Sequence, residues 1–175
     1  YGINIMNGGT NMTISNNIIT DITSANTSTT STQYNPFGIR IDGGNNHKIY
    51  NNTVYMSGAQ AGAGTSGSLT SALMITQVVP LLNICTGLDV RNNLFMNTMT
   101  GLTGTKSYSM YVPDNQAFAD CNYNDYYVSG TNGTLAYVGA NITTLAALKT
   151  ATAKDANSVN TAVSFLNQTV SDFHL

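Results

Sequence analysis

Gly38-Ile39-Arg40-Ile41-Asp42-Gly43-Gly44-Asn45-Asn46-His47-Lys48-Ile49-Tyr50-Asn51-Asn52-Thr53-Val54 decides the fold. Ile39 and Ile41 alternate with Arg40, which is the period of a half-buried strand. Asp42-Gly43-Gly44 then turns the chain, since glycine adopts backbone conformations that other residues avoid. A second short strand carries Ile49, Asn51-Asn52 turns the chain again, and Thr53-Val54 opens a third strand. The stretch therefore predicts three short strands joined by two tight corners.

Working outward, the same block recurs four times, at intervals of roughly 35 residues. A small residue leads each block: Gly2, Gly38, Ala72 and Ser109. An inward apolar column follows (Ile3, Ile39, Leu73, Met110), then an outward one (Asn4, Arg40, Met74, Tyr111), then a second inward one (Ile5, Ile41, Ile75, Val112). The second strand places Ile14, Ile49, Val90 and Cys121 inward, and the third places Ile19, Val54, Phe95 and Tyr126 inward. Between them runs an asparagine column, Asn17, Asn52, Asn93 and Asn124, preceded by Asn16, Asn51 and Asn92 in the first three blocks. Asparagine tolerates the left-handed conformation of a sharp corner, and its amide bonds nearby backbone. Stacked one block above another, such amides can also bond each other, so a structural ladder is expected of Asn17, Asn52, Asn93 and Asn124.

Composition agrees. The 175 residues hold six Lys plus Arg and eight acids, all of them Asp, for a net charge of −2. Asn, Thr, Ser and Gly must supply the solubility, and they favour turns and strands over helices. The near-zero charge gives no electrostatic reason to bind nucleic acid. No apolar run reaches the length of a membrane span, so membrane insertion is not expected. The chain opens at Tyr1-Gly2-Ile3-Asn4-Ile5, already in strand pattern, which predicts a piece of a longer protein with further coils upstream. Cys85 and Cys121 are too few for a disulfide framework; Cys121 falls at an inward position, and two buried thiols are favoured over a bridge.

The blocks differ at their corners. An insertion, Gln77-Val78-Val79-Pro80-Leu81-Leu82, enlarges the third block and is expected to cover a rim or an edge. Long corners at 24–36 and 59–71 leave the framework as surface loops, placed either for binding or as inert spacers. The tail changes character: Thr143-Thr144-Leu145-Ala146-Ala147-Leu148-Lys149-Thr150-Ala151 predicts a short helix with a threonine cap. Val163-Ser164-Phe165-Leu166 and Asp172-Phe173-His174-Leu175 predict brief strands. Residues 1–130 are thus expected to form coils and 131–175 a C-terminal cap over the last one.

Gly-Ile-x-Ile, a Gly/Asn turn and Ile-x-Asn-Asn-x-Ile together resemble the right-handed parallel β-helix of the pectin-lyase-like class. Cys121-Asn122-Tyr123-Asn124-Asp125-Tyr126-Tyr127, Leu145-Ala146-Ala147-Leu148, Asp155-Ala156-Asn157-Ser158 and the terminal Asp172-Phe173-His174-Leu175 are similar to a narrower group. That group comprises the β-helix repeat regions of large secreted or cell-surface proteins of Bacteroidota, many exported by the type IX system. The resemblance implies an all-β solenoid of about four coils, a bacterial secreted or surface location, and export or surface complex proteins as partners.

The class also contains polysaccharide lyases and glycosidases, so carboxylates and bases need weighing. A lyase needs carboxylates for calcium beside an Arg or Lys base. Arg40 with Asp42, and Asp89 with Arg91, are the nearest approach; surface ion pairs and a turn aspartate explain them more simply. Asp120 and Asp125 match no polygalacturonase signature, and His47 and His174 lack a nucleophile arrangement and read as structural. No cofactor is expected, with calcium on the Asp/Asn-rich turns as the alternative. Tyr50 and Tyr111 lie outward by alternation and are the candidate carbohydrate-contact aromatics, with Tyr34, Tyr55, Tyr123 and Tyr127 as further outward candidates. Tyrosine also favours strands for packing alone. The expected function is a non-catalytic stalk or adhesin module of a large surface protein. The alternative is a polysaccharide-binding or polysaccharide-degrading β-helix whose catalytic coils lie outside these residues.

Overall fold

The computed structural model describes residues 1–6, 9–24, 35–60, 69–76, 85–101, 104, 106–113, 117–130 and 132–165. The described residues are mostly strand, numbered here along the chain. The first sheet holds β1 (Ile3–Ile5), β4 (Phe37–Ile41), β7 (Leu69–Ile75), β10 (Lys106–Val112), β13 (Gly133–Val138) and β14 (Asn141–Ile142), in that order. The second holds β2 (Thr13–Ser15), β5 (Lys48–Tyr50), β8 (Leu88–Arg91) and β11 (Phe118–Asn122). The third holds β3 (Ile18–Ile19), β6 (Thr53–Met56), β9 (Leu94–Asn97) and β12 (Asp125–Val128). Every pairing is parallel except β13 with β14. Each of the four sequence blocks thus gives one strand to each sheet, an arrangement compatible with a β-helix.

The columns of the sequence are the registers of the sheets. Ile3 pairs with Ile39, Ile39 with Leu73, and Leu73 with Met110. Ile14, Ile49, Val90 and Cys121 follow one another across the second sheet, and Ile19, Val54, Phe95 and Tyr126 across the third. Period-two alternation enforces this, because slipping one strand by a residue would turn its apolar side chains to water. These columns form one continuous core. The small residue that leads each block has a packing cause: a Cβ on Gly38 would lie 2.2 Å from Val54 Cγ1, and one on Gly2 2.3 Å from Ile19 Cγ2. At the Gly43-Gly44 corner, a Cβ on Gly44 would sit 1.9 Å from the Gly9 carbonyl oxygen, so the chain passes there only as glycine.

The two asparagine columns divide the work. Asn16, Asn51 and Asn92 take the left-handed conformation (φ 58°, 55° and 57°), and Tyr123 takes it in the fourth block (φ 57°). The second asparagine of each pair is left free for the ladder described below.

Beyond residue 130 the first sheet continues, since β13 pairs parallel with β10 before β14 folds back on it. The predicted helix is present as α1 (Leu145–Thr152), with Thr144 as N-cap accepting from the Ala147 N–H at 3.2 Å and Ala153 in the left-handed C-cap. Leu148 anchors it in the core. The strand expected at Val163-Ser164-Phe165 is absent; those residues have no strand pairing, and Phe165 instead packs its ring on Tyr55, centroids 5.6 Å apart. Leu166, Asp172-Phe173-His174-Leu175 and the Gln77–Leu82 insertion lie outside the described residues. Cys85 and Cys121 are both buried free thiols, and burial pushes the Cys85 thiol up to about 11.

Candidate functional site

The second asparagines form a continuous polar line through the interior. Asn17 donates its backbone N–H (3.2 Å) and its Nδ2 (2.9 Å) to Asn52 Oδ1. Asn52 does the same to Asn93 Oδ1 (3.0 and 2.9 Å), and Asn93 to Asn124 Oδ1 (3.0 and 3.0 Å). Each inner amide also reaches back to the preceding block: Asn52 Nδ2 to the Ile14 carbonyl, Asn93 Nδ2 to that of Ile49, Asn124 Nδ2 to that of Val90. Asn52, Asn93 and Asn124 are buried and Asn17 is half-buried. Every bond from one ladder asparagine to the next points the same way, from Asn17 toward the C-terminal cap. Aligned amide dipoles in a dry interior strengthen one another.

The ladder ends on residues that the repeat pattern did not mark. Asn124 donates its backbone N–H to Ser158 Oγ (3.0 Å), and the Ser158 hydroxyl donates to Asp155 Oδ1 (2.7 Å). The Tyr126 hydroxyl also donates to Asp155 Oδ1 (3.0 Å), and it receives Asn124 Nδ2 at 3.1 Å. Asp155 is fully buried, and its Oδ2 has no hydrogen-bond partner among the described residues. Burial raises its carboxyl above the ordinary value, against the lowering effect of Ser158, Tyr126, Cys121 and Asn124. The neighbouring Cys121 thiol and Tyr126 phenol are pushed well up by the same burial. Around this cluster the cap backbone behaves as one more layer: the Asp155 N–H bonds the Cys121 carbonyl (2.7 Å), Val159 exchanges bonds with Asn124 and Tyr126, and Lys149 Nζ of α1 holds the Ala156 carbonyl (2.9 Å). The Asp-Ala-Asn-Ser stretch carried a signal in its short polar spacing, but the match of Ser158 to an asparagine position is visible only in three dimensions.

On the outside, the two candidate sugar-contact tyrosines lie on different sheets. Tyr50, on β5, is half-buried; Arg91 covers its ring (Cζ 5.3 Å from the centroid), and its hydroxyl donates to Asp89. Arg91 grips Asp89 with Nε and Nη2, both at 2.6 Å. Burial works against the charge on Asp89, yet the hydrogen bonds from Arg91 and Tyr50 hold its carboxyl below the usual value; burial and the Asp89 contact raise the Tyr50 phenol. Tyr111, on β10, stacks flat on Tyr137 (4.4 Å, 6° between planes) while Tyr108 meets it edge-on at 5.4 Å. Each ring thus gives one face to protein rather than to a ligand. Burial lifts the Tyr108 phenol to about 12. Of the further outward candidates, Tyr55 is buried, Tyr123 is exposed, Tyr127 is half-buried, and Tyr34 lies outside the described residues.

Between the first two blocks, Arg40 and Asp42 form a close pair (Nε to Oδ1 2.7 Å), and Arg40 Nη1 donates to the Tyr1 hydroxyl at 2.6 Å. Asp42 also accepts from the Thr76 hydroxyl. Tyr1, Arg40 and Asp42, with Asn4, Asn35 and Met6, line a cleft of about 330 Å³. His47 is buried at the Gly43-Gly44 corner: the Met12 N–H donates to Nδ1 and Nε2 faces the Gly43 carbonyl, each at 3.3 Å, so the ring pins two corners together. Among the described residues no three His, Cys, Asp or Glu side chains are placed to hold a metal ion, and no helix is long and apolar enough to cross a membrane. No family model, no curated protein and no solved structure matches this chain.

Proposed function

We propose that the chain is a run of coils of a right-handed parallel β-helix, working as a non-catalytic stalk or adhesive module of a large secreted bacterial surface protein. One observation carries the reading: the ionisable groups that could do chemistry are engaged in contacts that hold coils together. Arg40 bonds Asp42 and, one coil back, Tyr1; Tyr50, Asp89 and Arg91 tie two neighbouring coils; Asp155 closes the ladder. The resemblance of the repeat supports secretion, the surface location, the type IX route and the export or surface complex as partner. In this reading the long axis of stacked strands bears load or spaces other domains, and the buried amide ladder resists slippage between coils.

The test is intact mass on the protein from its natural source, followed by incubation of the chain with acidic and neutral polysaccharides. A mass many times that of 175 residues, with no new reducing ends, is expected. A mass equal to this chain, or cleavage abolished by Asp42→Asn or Asp89→Asn, overturns the proposal. A second reading, polysaccharide binding, is favoured by the cleft at Arg40, Asp42 and Tyr1, which has the size of one or two sugar rings and mixes an aromatic with hydrogen-bonding groups. Saturable retention on one polysaccharide, lost in Arg40→Ala, would establish it.

A further inference from the structure

We infer that the groove between the Tyr123 corner and the cap turn is a binding site for a neutral sugar, with the Tyr123 ring as its stacking platform. This rests on the adhesive reading above and deepens it by naming a ligand class and a place. The groove shares no lining residue with the cleft at Arg40.

The repeat supplies its own control. The corner between the second and third strands of each block takes one left-handed residue, and Asn16, Asn51 and Asn92 fill it in the first three blocks. Asparagine suits that conformation, whereas a bulky side chain at positive φ is strained. Tyr123 stands there in the fourth block at φ 57°, and it is 56% exposed, more than any other aromatic residue among the described residues. Tyr50 lies under Arg91 and Tyr111 against Tyr137, but no ring or guanidinium covers Tyr123 among the described residues. A strained, exposed residue where the same corner has an unstrained solution three times marks function rather than stability. The surroundings are held in place as well. Asn122 Oδ1 accepts from the N–H groups of both Tyr123 (3.0 Å) and Asn157 (2.8 Å), tying the corner to the cap turn. Asp125 Oδ1 accepts from the Thr161 N–H (2.8 Å), tying β12 to the segment beyond that turn.

The lining selects the ligand. The groove has a volume of about 390 Å³, room for one or two sugar rings. Tyr123, Leu94 and Val159 line it with apolar surface, and Asn92, Asn157 and Asp125 with polar groups. Asn92 and Asn157 are exposed, and Asp125 is half-buried. A pyranose ring has an apolar C–H face that packs on an aromatic ring, and hydroxyls around its rim that need both donors and acceptors. The two amides supply both, and the carboxylate accepts. A wholly apolar ligand would strip water from these three side chains without replacing its hydrogen bonds. No Lys, Arg or His lines the groove among the described residues, and Asp125 brings a negative charge, so acidic sugars and phosphates are repelled.

The test titrates the whole chain calorimetrically with neutral tetrasaccharides of glucose, mannose, galactose and xylose, and with the tetramer of galacturonate. Saturable binding of at least one neutral tetrasaccharide, and none of galacturonate, is expected. Tyr123→Phe keeps the ring and should bind within about twofold of the parent, whereas Tyr123→Asn should bind about tenfold more weakly. The unfolding midpoint of Tyr123→Asn should rise at the same time, which separates lost binding from misfolding. Binding of no neutral tetrasaccharide, equal binding by Tyr123→Asn, or tighter binding of galacturonate overturns the site. Loss of binding in Arg40→Ala with full binding in Tyr123→Asn moves the sugar to the cleft and overturns it too. Reducing ends separate the two levels of argument: new ends in a titration that depends on Tyr123 overturn the non-catalytic reading and leave this site standing.

Discussion

At one end of the amide ladder Asn17 donates to Asn52 and accepts no hydrogen bond at Oδ1 among the described residues; at the other, Asn124 donates its N–H to Ser158, whose hydroxyl donates to Asp155. The two ends differ in what finishes a stack of coils. A cap has to accept the last donors and cover the last apolar layer, and residues 155–159 do both with a tight turn lying over β11 and β12. The Asn17 rung, at the other end, donates along the ladder to Asn52. The middle of the ladder has neither freedom, because each rung there donates and accepts in a space closed to water.

The largest expected effect breaks the middle. Asn93→Leu removes the acceptor for two Asn52 groups and the amide that donates to the Ile49 and Arg91 carbonyls and to Asn124 Oδ1. Several buried polar groups unpaired at about 1–3 kcal/mol each should cost most of the stability of the chain, read as loss of a cooperative urea transition. Asn17→Leu, with one rung partner and a half-exposed site, should cost about 1 kcal/mol in the same assay. Equal costs at the two positions would show that the ladder is not cooperative along its length.

Ser158→Ala addresses the closed end. It leaves the Asn124 N–H without an acceptor and should cost about 1–3 kcal/mol, with faster amide exchange concentrated in β11 and β12. The pH dependence comes next. The folded chain holds Asp155 protonated at pH values where the unfolded chain would release that proton, so stability falls as pH rises from the ordinary value of 3.8 through the raised folded value. Asp125, raised by burial in the same sense, contributes to the same slope. Asp155→Asn should flatten the profile of unfolding midpoint against pH over that range, leaving the part due to Asp125. An unchanged slope would mean that Asp155 is ionised in the folded chain. The smallest effect sharpens the comparison at the corners: Tyr123→Asn restores the residue that the other three blocks use at φ near 57° and should stabilise by about 1 kcal/mol.

Much of the four blocks could be read from the residues. The inward columns, the outward column with Arg40 and Tyr111, and the asparagine ladder all follow from alternation and a repeat of about 35 residues. Less was legible where the repeat stops. Gly133–Val138 joins the first sheet although its spacing from the fourth block is shorter than the template, so no column announced it. Phe165, the last described residue, meets Tyr55 of the second block, and a strand expected from apolar spacing becomes a packed irregular segment. The paired asparagines suggested one mechanism for both members, whereas the fold gives the corner to the first and the ladder to the second.

The sequence by itself determined which side chains face inward and which strands stack on which, because a period of two leaves one register that buries every apolar column. Only the tertiary structure decided what the outward and polar residues do. Whether Tyr111 offers a ring face or spends it on Tyr137, whether Arg91 is a base or the cover over Tyr50, and which way the amide ladder points all depend on neighbours tens of residues away along the chain. Those contacts exist only once the blocks are stacked, and hydrogen bonds have a direction that a column of identical letters does not.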